Sequence, residues 1–262
     1  IISSAGVRTH DKAHILKHLS SDVEFKDITD DLICLGVFGP KSRDLLSKLT
    51  KEDLSNEHFK FGTSKNIKIG SVIVWIQRLS YVGELGYELY INNDKGKEIY
   101  NLIVDTGKDF KLSHCGSHTM DIMRMESGFL HWGHDISPEE NQYQAGLNFA
   151  ISYKKSFDFI GKDKLLKIRD QKLDRRFIML VLKDSTPGKP LLLHEEPIYL
   201  DDKIIGKTTS GNYSFNYNKN LSFGYIKSSK NNEELSQKKI YIEIEKKKYE
   251  AEILLKPLKQ NN

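Results

Sequence analysis

The chain has 262 residues, 38% of them hydrophobic and 29% charged, with a formal net charge of +4. That length fits two modest domains or one large one with a globular balance. The small basic excess is spread along the sequence and sits beside no nucleic-acid-reading motif, which argues against a nucleic-acid partner; no apolar run approaches the roughly 20 residues that span a bilayer.

Cys34 and Cys115 lack a Cys-x-x-Cys frame or a nearby histidine pair. The expectation is two buried thiols in a cytosolic or organelle-matrix protein, with no metal or redox role. No signal-peptide pattern is present, and the opening at Ile1 reads as the cut end of something longer.

In chain order, Asp11 to Leu19 reads as a helix with Asp11 at its start. Leu32 to Phe38 is a short apolar strand, and Gly39-Pro40 turns the chain into a helix from Lys41 to Leu49. This turn lacks the glycine spacing of a phosphate-binding loop. Ile67 to Leu79 gives one or two strands rich in β-branched residues. Lys95 to Thr106 and Ser117 to Phe129 follow as helices, the second with Ser117 suited to cap it. Antiparallel strands mixed with helices indicate an α+β sandwich rather than a doubly wound sheet.

The texture changes near Arg169 to Leu173. Beyond it come short strand-like runs at 177–182, 198–200, 203–208, 221–226, 239–245 and 250–255, the pattern of a small antiparallel β-barrel. Residues 228–234 read as a polar loop. The division expected is therefore 1–168 and 169–262.

Ser80 to Ile91 is the densest segment, with two glycines, three tyrosines and two glutamates in twelve residues. Gly83 and Gly86 suit a tight turn or a close approach of backbone to ligand. Read on its own, it is either an exposed hairpin or a site that pairs its carboxylates. Strand alternation places Glu88 and Tyr90 on one face, and Tyr87 and Leu89 on the other.

Other clusters have plain structural readings. His114, His118, His131 and His134 lie near Asp135, but Gly133 makes this a loop without a metal-ligand frame. Asp121 and Arg124 stand three apart on a helix, as an ion pair would. No Gly-x-Gly-x-x-Gly dinucleotide motif occurs, and no Ser-His-Asp or Cys-His arrangement stands out.

Taken together, Ser80–Ile91, Met120–Phe129, Trp132-Gly133-His134-Asp135 and Gln144-Ala145-Gly146-Leu147 resemble the aminomethyltransferase-like folate-binding family, which includes the glycine cleavage T-protein. Asp158–Lys162, Arg175-Arg176-Phe177, Gly206–Tyr213 and Leu221–Tyr225 resemble the carboxy-terminal half of the dimethylglycine dehydrogenase branch. Sarcosine dehydrogenase and the non-catalytic pyruvate dehydrogenase phosphatase regulatory subunit share that architecture. The resemblance implies a ferredoxin-like α/β sandwich, shortened at its amino terminus, before the barrel.

The resemblance also implies a function. Tyr81 and Glu88 match the family's tyrosine and glutamate that hold the pterin ring of tetrahydrofolate, with Leu89 and Tyr90 following along the strand. A carboxylate suits this task because the pterin presents a paired donor edge. Phe149 stands where relatives often carry a tyrosine that contacts the pterin. Glu84, Arg124 and Glu126 would be supports. The implied activity is capture of a one-carbon unit as 5,10-methylenetetrahydrofolate, from an iminium made by an FAD domain of the same polypeptide acting on an N-methyl amine. No membrane or nucleic-acid partner is implied. The setting would be the mitochondrial matrix in a eukaryote or the cytoplasm in a bacterium.

Two departures matter. The family's catalytic aspartate corresponds to a position upstream of Ile1. Met120 stands where glycine cleavage T-proteins carry an arginine, which favours the dehydrogenase branch over an aminomethyltransferase; the intact Tyr81 and Glu88 argue against a non-catalytic regulatory relative.

Overall fold

The computed structural model describes residues 1–228 and 230–259. They form two compact units, one over Ile1–Cys115 and one from Gly116 onward.

The first unit begins with helix α1 (Arg8–His18), which buries none of its residues. It starts three residues before the expected Asp11, so Asp11 lies within the first turn and pairs with His10 at 3.1 Å. Arg8 tethers this end to Asp27 and Asp30, at 3.0 and 2.9 Å. Then come β1 (Leu32–Phe38), α2 (Ser42–Leu49), β2 (Ser64–Ile69), β3 (Val72–Gln77), β4 (Gly86–Asn92) and α3 (Gly96–Gly107). The four strands form one sheet in the order β1-β4-β3-β2, with every pair antiparallel.

The sheet obeys the period-2 rule strictly. In β3, Val72, Val74 and Ile76 are buried while Ile73 and Trp75 are exposed. Tyr87, Leu89 and Ile91 of β4 join them in a core sealed by Leu45 and Leu46 of α2 and Ile99 and Ile103 of α3. One face of the sheet is thus the core of this unit. The other carries Cys34, Gly36, Trp75, Gln77, Glu88 and Tyr90, paired across the strands as Cys34–Tyr90–Trp75 and Gly36–Glu88–Gln77. Cys34 lies on that second face and Cys115 in a loop. Both are exposed, against the expectation of buried thiols.

The second unit opens with α4 (Ser117–Glu126). Gly116, not Ser117, holds the N-cap position, and no side chain caps the helix. The helix ends before the expected Phe129, because Gly128 turns to φ +75° and Phe129 N–H closes back on the Arg124 carbonyl at 2.9 Å. After a long connection and α5 (Lys162–Arg169) come β5 (Arg176–Leu182), β6 (Pro197–Leu200), β7 (Lys203–Ser214), β8 (Lys219–Ile226), α6 (Asn232–Ser236), β9 (Ile240–Ile244) and β10 (Lys247–Leu254). The six strands close a barrel in the order β10-β5-β8-β7-β6-β9, with every pair antiparallel. The α+β expectation with a small antiparallel barrel therefore holds.

Ile178, Leu180, Ile198, Ile242 and Ile253 fill the barrel interior. On its outside, Val181, Leu221 and Phe223 meet Ile122 and Met125 of α4. That cover explains why β8 is buried at seven of its eight positions, on both faces. The expected loop at 228–234 contains the start of α6. Asn231 and Glu234 form a reciprocal capping box, and Leu235 is fully buried below it. Ser229 of that segment lies outside the described residues.

Candidate functional site

The segment 78–85 joins β3 to β4 and carries Tyr81 and Glu84, both half-buried. Gly83 sits at φ +66°, in the left-handed region that suits a turn glycine. Val82 anchors the loop: it is 5% exposed, and its N–H donates to Ser80 Oγ at 3.3 Å. The loop delivers the chain to Gly86 and then to Glu88.

Glu88 is half-buried on the sheet face away from the helices. Its Oε2 accepts a hydrogen bond from Tyr90 Oη at 2.7 Å. Tyr90 packs its ring on Trp75 at 4.8 Å between centroids. Burial and the bond to Glu88 push the Tyr90 phenol well above its ordinary pKa, so it stays protonated and donates. Across β1, Gly36 faces Glu88, and the Phe38 ring leans over Gly36 and Gly86. A Cβ at either glycine would come within 2.5 or 2.3 Å of that ring. The result is a carboxylate held in rotation by a tyrosine, flanked by aromatic rings, and still reachable. Such a set can accept paired N–H donors from a flat heterocycle.

Leu89 lies between Glu88 and Tyr90, but its side chain is fully buried in the core, which leaves its main chain to meet any ligand.

A second carboxylate cluster lies wholly within the other unit. Arg124 is 1% exposed. It donates to Asp121 Oδ1 at 2.9 Å, Asp135 Oδ2 at 2.5 Å, the Phe129 carbonyl at 2.9 Å and Ser210 Oγ at 2.8 Å, and stacks on Phe223. Asp135, also 1% exposed, accepts further bonds from the His131 N–H, Thr209 Oγ1 and Ser210 Oγ. Glu126 is 2% exposed and accepts from Ser214 Oγ at 2.6 Å and Asn216 Nδ2 at 2.9 Å. These charges bind α4 to β7. The polar run 209–214, which has no apolar alternation, is strand because its hydroxyls satisfy Asp135 and Glu126. That signal could have been found as small polar residues spaced by two after a glycine.

Phe149 is 82% exposed on a short turn, Asn148–Ala150. Tyr81, Glu84, Glu88, Leu89 and Tyr90 belong to the first unit, and Arg124, Glu126 and Phe149 to the second. Three of the four clustered histidines have local contacts: His114 bonds Tyr100 Oη at 2.8 Å, and the rings of His131 and His134 lie 4.5 Å apart. Among the described residues, no helix is long and apolar enough to cross a membrane.

Comparison with known proteins agrees with this architecture. Residues 1–155 match the model of the GCVT N-terminal domain, and residues 175–259 that of the glycine cleavage T-protein C-terminal barrel domain. Human mitochondrial dimethylglycine dehydrogenase is 36% identical over 98% of this chain, which spans only 29% of that relative. The 4-methylaminobutanoate oxidase (formaldehyde-forming) of Paenarthrobacter nicotinovorans is 40% identical over 71% of the chain and 22% of its own length. An aminomethyltransferase of Thermoanaerobacter pseudethanolicus is 34% identical, with 79% of the chain and 55% of the relative covered. The chain thus spans less than a third of the dehydrogenase and oxidase relatives. In fold, it superposes with TM-score 0.81 on the glycine cleavage system aminomethyltransferase T of Bartonella henselae, at 19% identity, covering 98% of this chain and 68% of that one. The chain belongs to the glycine cleavage T-protein family, in the form shared with dimethylglycine dehydrogenase.

Proposed function

We propose that this chain is the tetrahydrofolate-binding, one-carbon-accepting part of a dimethylglycine or sarcosine dehydrogenase-like enzyme. The observation that carries this reading is the Glu88 carboxylate, fixed by Tyr90 on a reachable sheet face between aromatic rings. In this reading Glu88 accepts the paired N–H donors of the pterin edge, and Tyr90 holds the carboxylate in the plane that edge requires. Tyr81 borders the ring from the turn. Glu84 shapes the turn, while Arg124 and Glu126 stiffen their own unit. Tetrahydrofolate supplies the nucleophilic nitrogens that take up the one-carbon unit. Holding it near the source of that unit raises effective concentration.

The rest of the reading concerns the remainder of such a polypeptide. A flavin domain with FAD would oxidise the N-methyl amine there, and the family's catalytic aspartate would lie upstream of residue 1. The division 1–168 and 169–262 is proposed as the boundary between folate-binding and barrel domains; the two family matches, 1–155 and 175–259, support it. The relatives named mitochondrial support a matrix setting if the source is eukaryotic, with the cytoplasm as the bacterial counterpart.

Calorimetric titration of tetrahydrofolate into the Glu88→Ala variant tests the site. Loss of binding with an unchanged unfolding midpoint is expected, and unchanged affinity would remove Glu88 from the role. A second reading, transfer of an aminomethyl group as in the aminomethyltransferases, is supported by the 34% identical relative. Ammonia release dependent on a lipoyl protein would favour it.

A further inference from the structure

Four positions surround Glu88 on its own sheet face: Gly86 and Tyr90 along β4, Gly36 across in β1 and Gln77 across in β3. The two glycines bring no side chain, and the Phe38 ring leans over both. Tyr90 already gives its hydroxyl proton to Glu88. Gln77 is half-buried at the end of β3, and its carboxamide has no hydrogen-bond partner among the described residues. Of the four neighbours, it is the one with donors left to offer.

Residues directly opposite in an antiparallel pair hold their Cβ atoms about 5 Å apart, so the Gln77 amide and the Glu88 carboxylate can meet neighbouring atoms of one planar ring. Ionised Glu88 contributes acceptors only, whereas a carboxamide also donates. The Glu88 charge favours the amide turned with its nitrogen toward it, since the amide oxygen would face like charge. The pair then presents two acceptors and a donor in a row. Its complement is an amino group, a ring N–H and a ring carbonyl in sequence, the edge of a 2-amino-4-oxo pteridine. In a 2,4-diamino pteridine an amino group takes the place of the carbonyl and meets the Gln77 donor head-on.

We propose that Gln77 is a specificity-determining residue of the Glu88 site. Its carboxamide donates to the ring carbonyl beside the N–H that Glu88 accepts, and so selects that ring over one with an amino group there. This role rests on the folate reading and deepens it, from which residue binds the ring to which ring is bound. Glu88 shares in the selection, because the diamino ring also lacks the neighbouring N–H. The change on substituting Gln77 isolates its own part.

Folic acid and aminopterin differ only in that ring carbonyl, which aminopterin replaces with an amino group. Each is titrated by calorimetry, alongside tetrahydrofolate, into the 262-residue chain and its Gln77→Met variant, which keeps the side chain's length and removes the donor. Tetrahydrofolate and folic acid should weaken roughly threefold to tenfold, the scale of one hydrogen bond, while aminopterin changes by less than about twofold. The preference for folic acid over aminopterin therefore narrows. Gln77→Leu should narrow it in the same way. Because the ratio is taken within one variant, a disturbed fold would weaken all three ligands alike and could not produce this result. Unchanged affinity for tetrahydrofolate and folic acid in Gln77→Met, or an equal loss for all three ligands, would overturn the role of Gln77 and leave the folate reading standing. If the unsubstituted chain bound no tetrahydrofolate, the folate reading itself would fall, and the role of Gln77 with it.

Discussion

The two carboxylate clusters make opposite use of the same chemistry. Asp135 and Glu126 are shut away and meet a full set of donors from their own unit: an arginine, three hydroxyls, an amide side chain and a main-chain N–H. Glu88 is half-buried, fixed by one tyrosine, and lies on an open sheet face. A buried acid that the chain satisfies by itself holds the fold together. An acid that the chain orients without enclosing is suited to a ligand. The distinction is physical, since desolvation must be repaid by the protein in the first case and can be repaid by a guest in the second.

The contrast can be broken most forcefully at Arg124. Arg124→Met would leave Asp135 charged and buried, and should destabilise the second unit by about 3–5 kcal/mol in urea unfolding. Ser214→Ala, which takes one donor from Glu126, should cost about 1–3 kcal/mol by the same measurement. Glu88→Gln should leave the unfolding midpoint nearly unchanged while weakening tetrahydrofolate roughly tenfold to a hundredfold in calorimetry, the scale of a charged hydrogen bond. If Glu88→Gln instead destabilised the fold as Arg124→Met does, the two clusters would be alike and the contrast would fail.

A smaller effect is expected with pH. Burial, then His134 and Arg124, lower the pKa of His131, so the unfolded chain binds that proton more readily than the folded one. Stability should therefore fall as pH drops through the ordinary histidine value of about 6.5 and recover above it. His131→Gln should flatten this part of the profile in thermal melts across pH. The smallest effect belongs to Arg8→Ala. It should leave the midpoint of unfolding alone but speed proteolytic cleavage around α1, which buries no residue and is tied down by that arginine.

Much of the fold could be read from residue patterns, and the reasons are local. Val72, Val74 and Ile76 alternate with exposed positions, and the leucines of α2 recur at helical spacing, so each announces its element. The limits also have local causes. The strand 209–214 is polar because its partners are charges from α4 and the following loop, nearly ninety residues away in the case of Ser214 and Glu126. No window of sequence contains both halves of that pairing. The α6 turn was hidden because its two caps are polar and only Leu235 marks a buried side. At the candidate site, the facing of Glu88 and Tyr90 follows from alternation alone. Their company does not: Trp75, Cys34 and the leaning Phe38 ring come from strand register, which the sequence order of β1, β3 and β4 does not reveal.

One feature of the barrel reaches beyond its shape. A strand covered on both sides has its amide hydrogens shielded by two packed layers, so opening it to solvent requires that α4 leave and the barrel part at the same time. The amides of β8 should then exchange with deuterium only through the rarest openings, at the free energy of unfolding the whole unit. Residues 219–226 would thus serve as an internal gauge of that unit's integrity, reading out any change at Arg124 or Glu126 in exchange times rather than in melting curves.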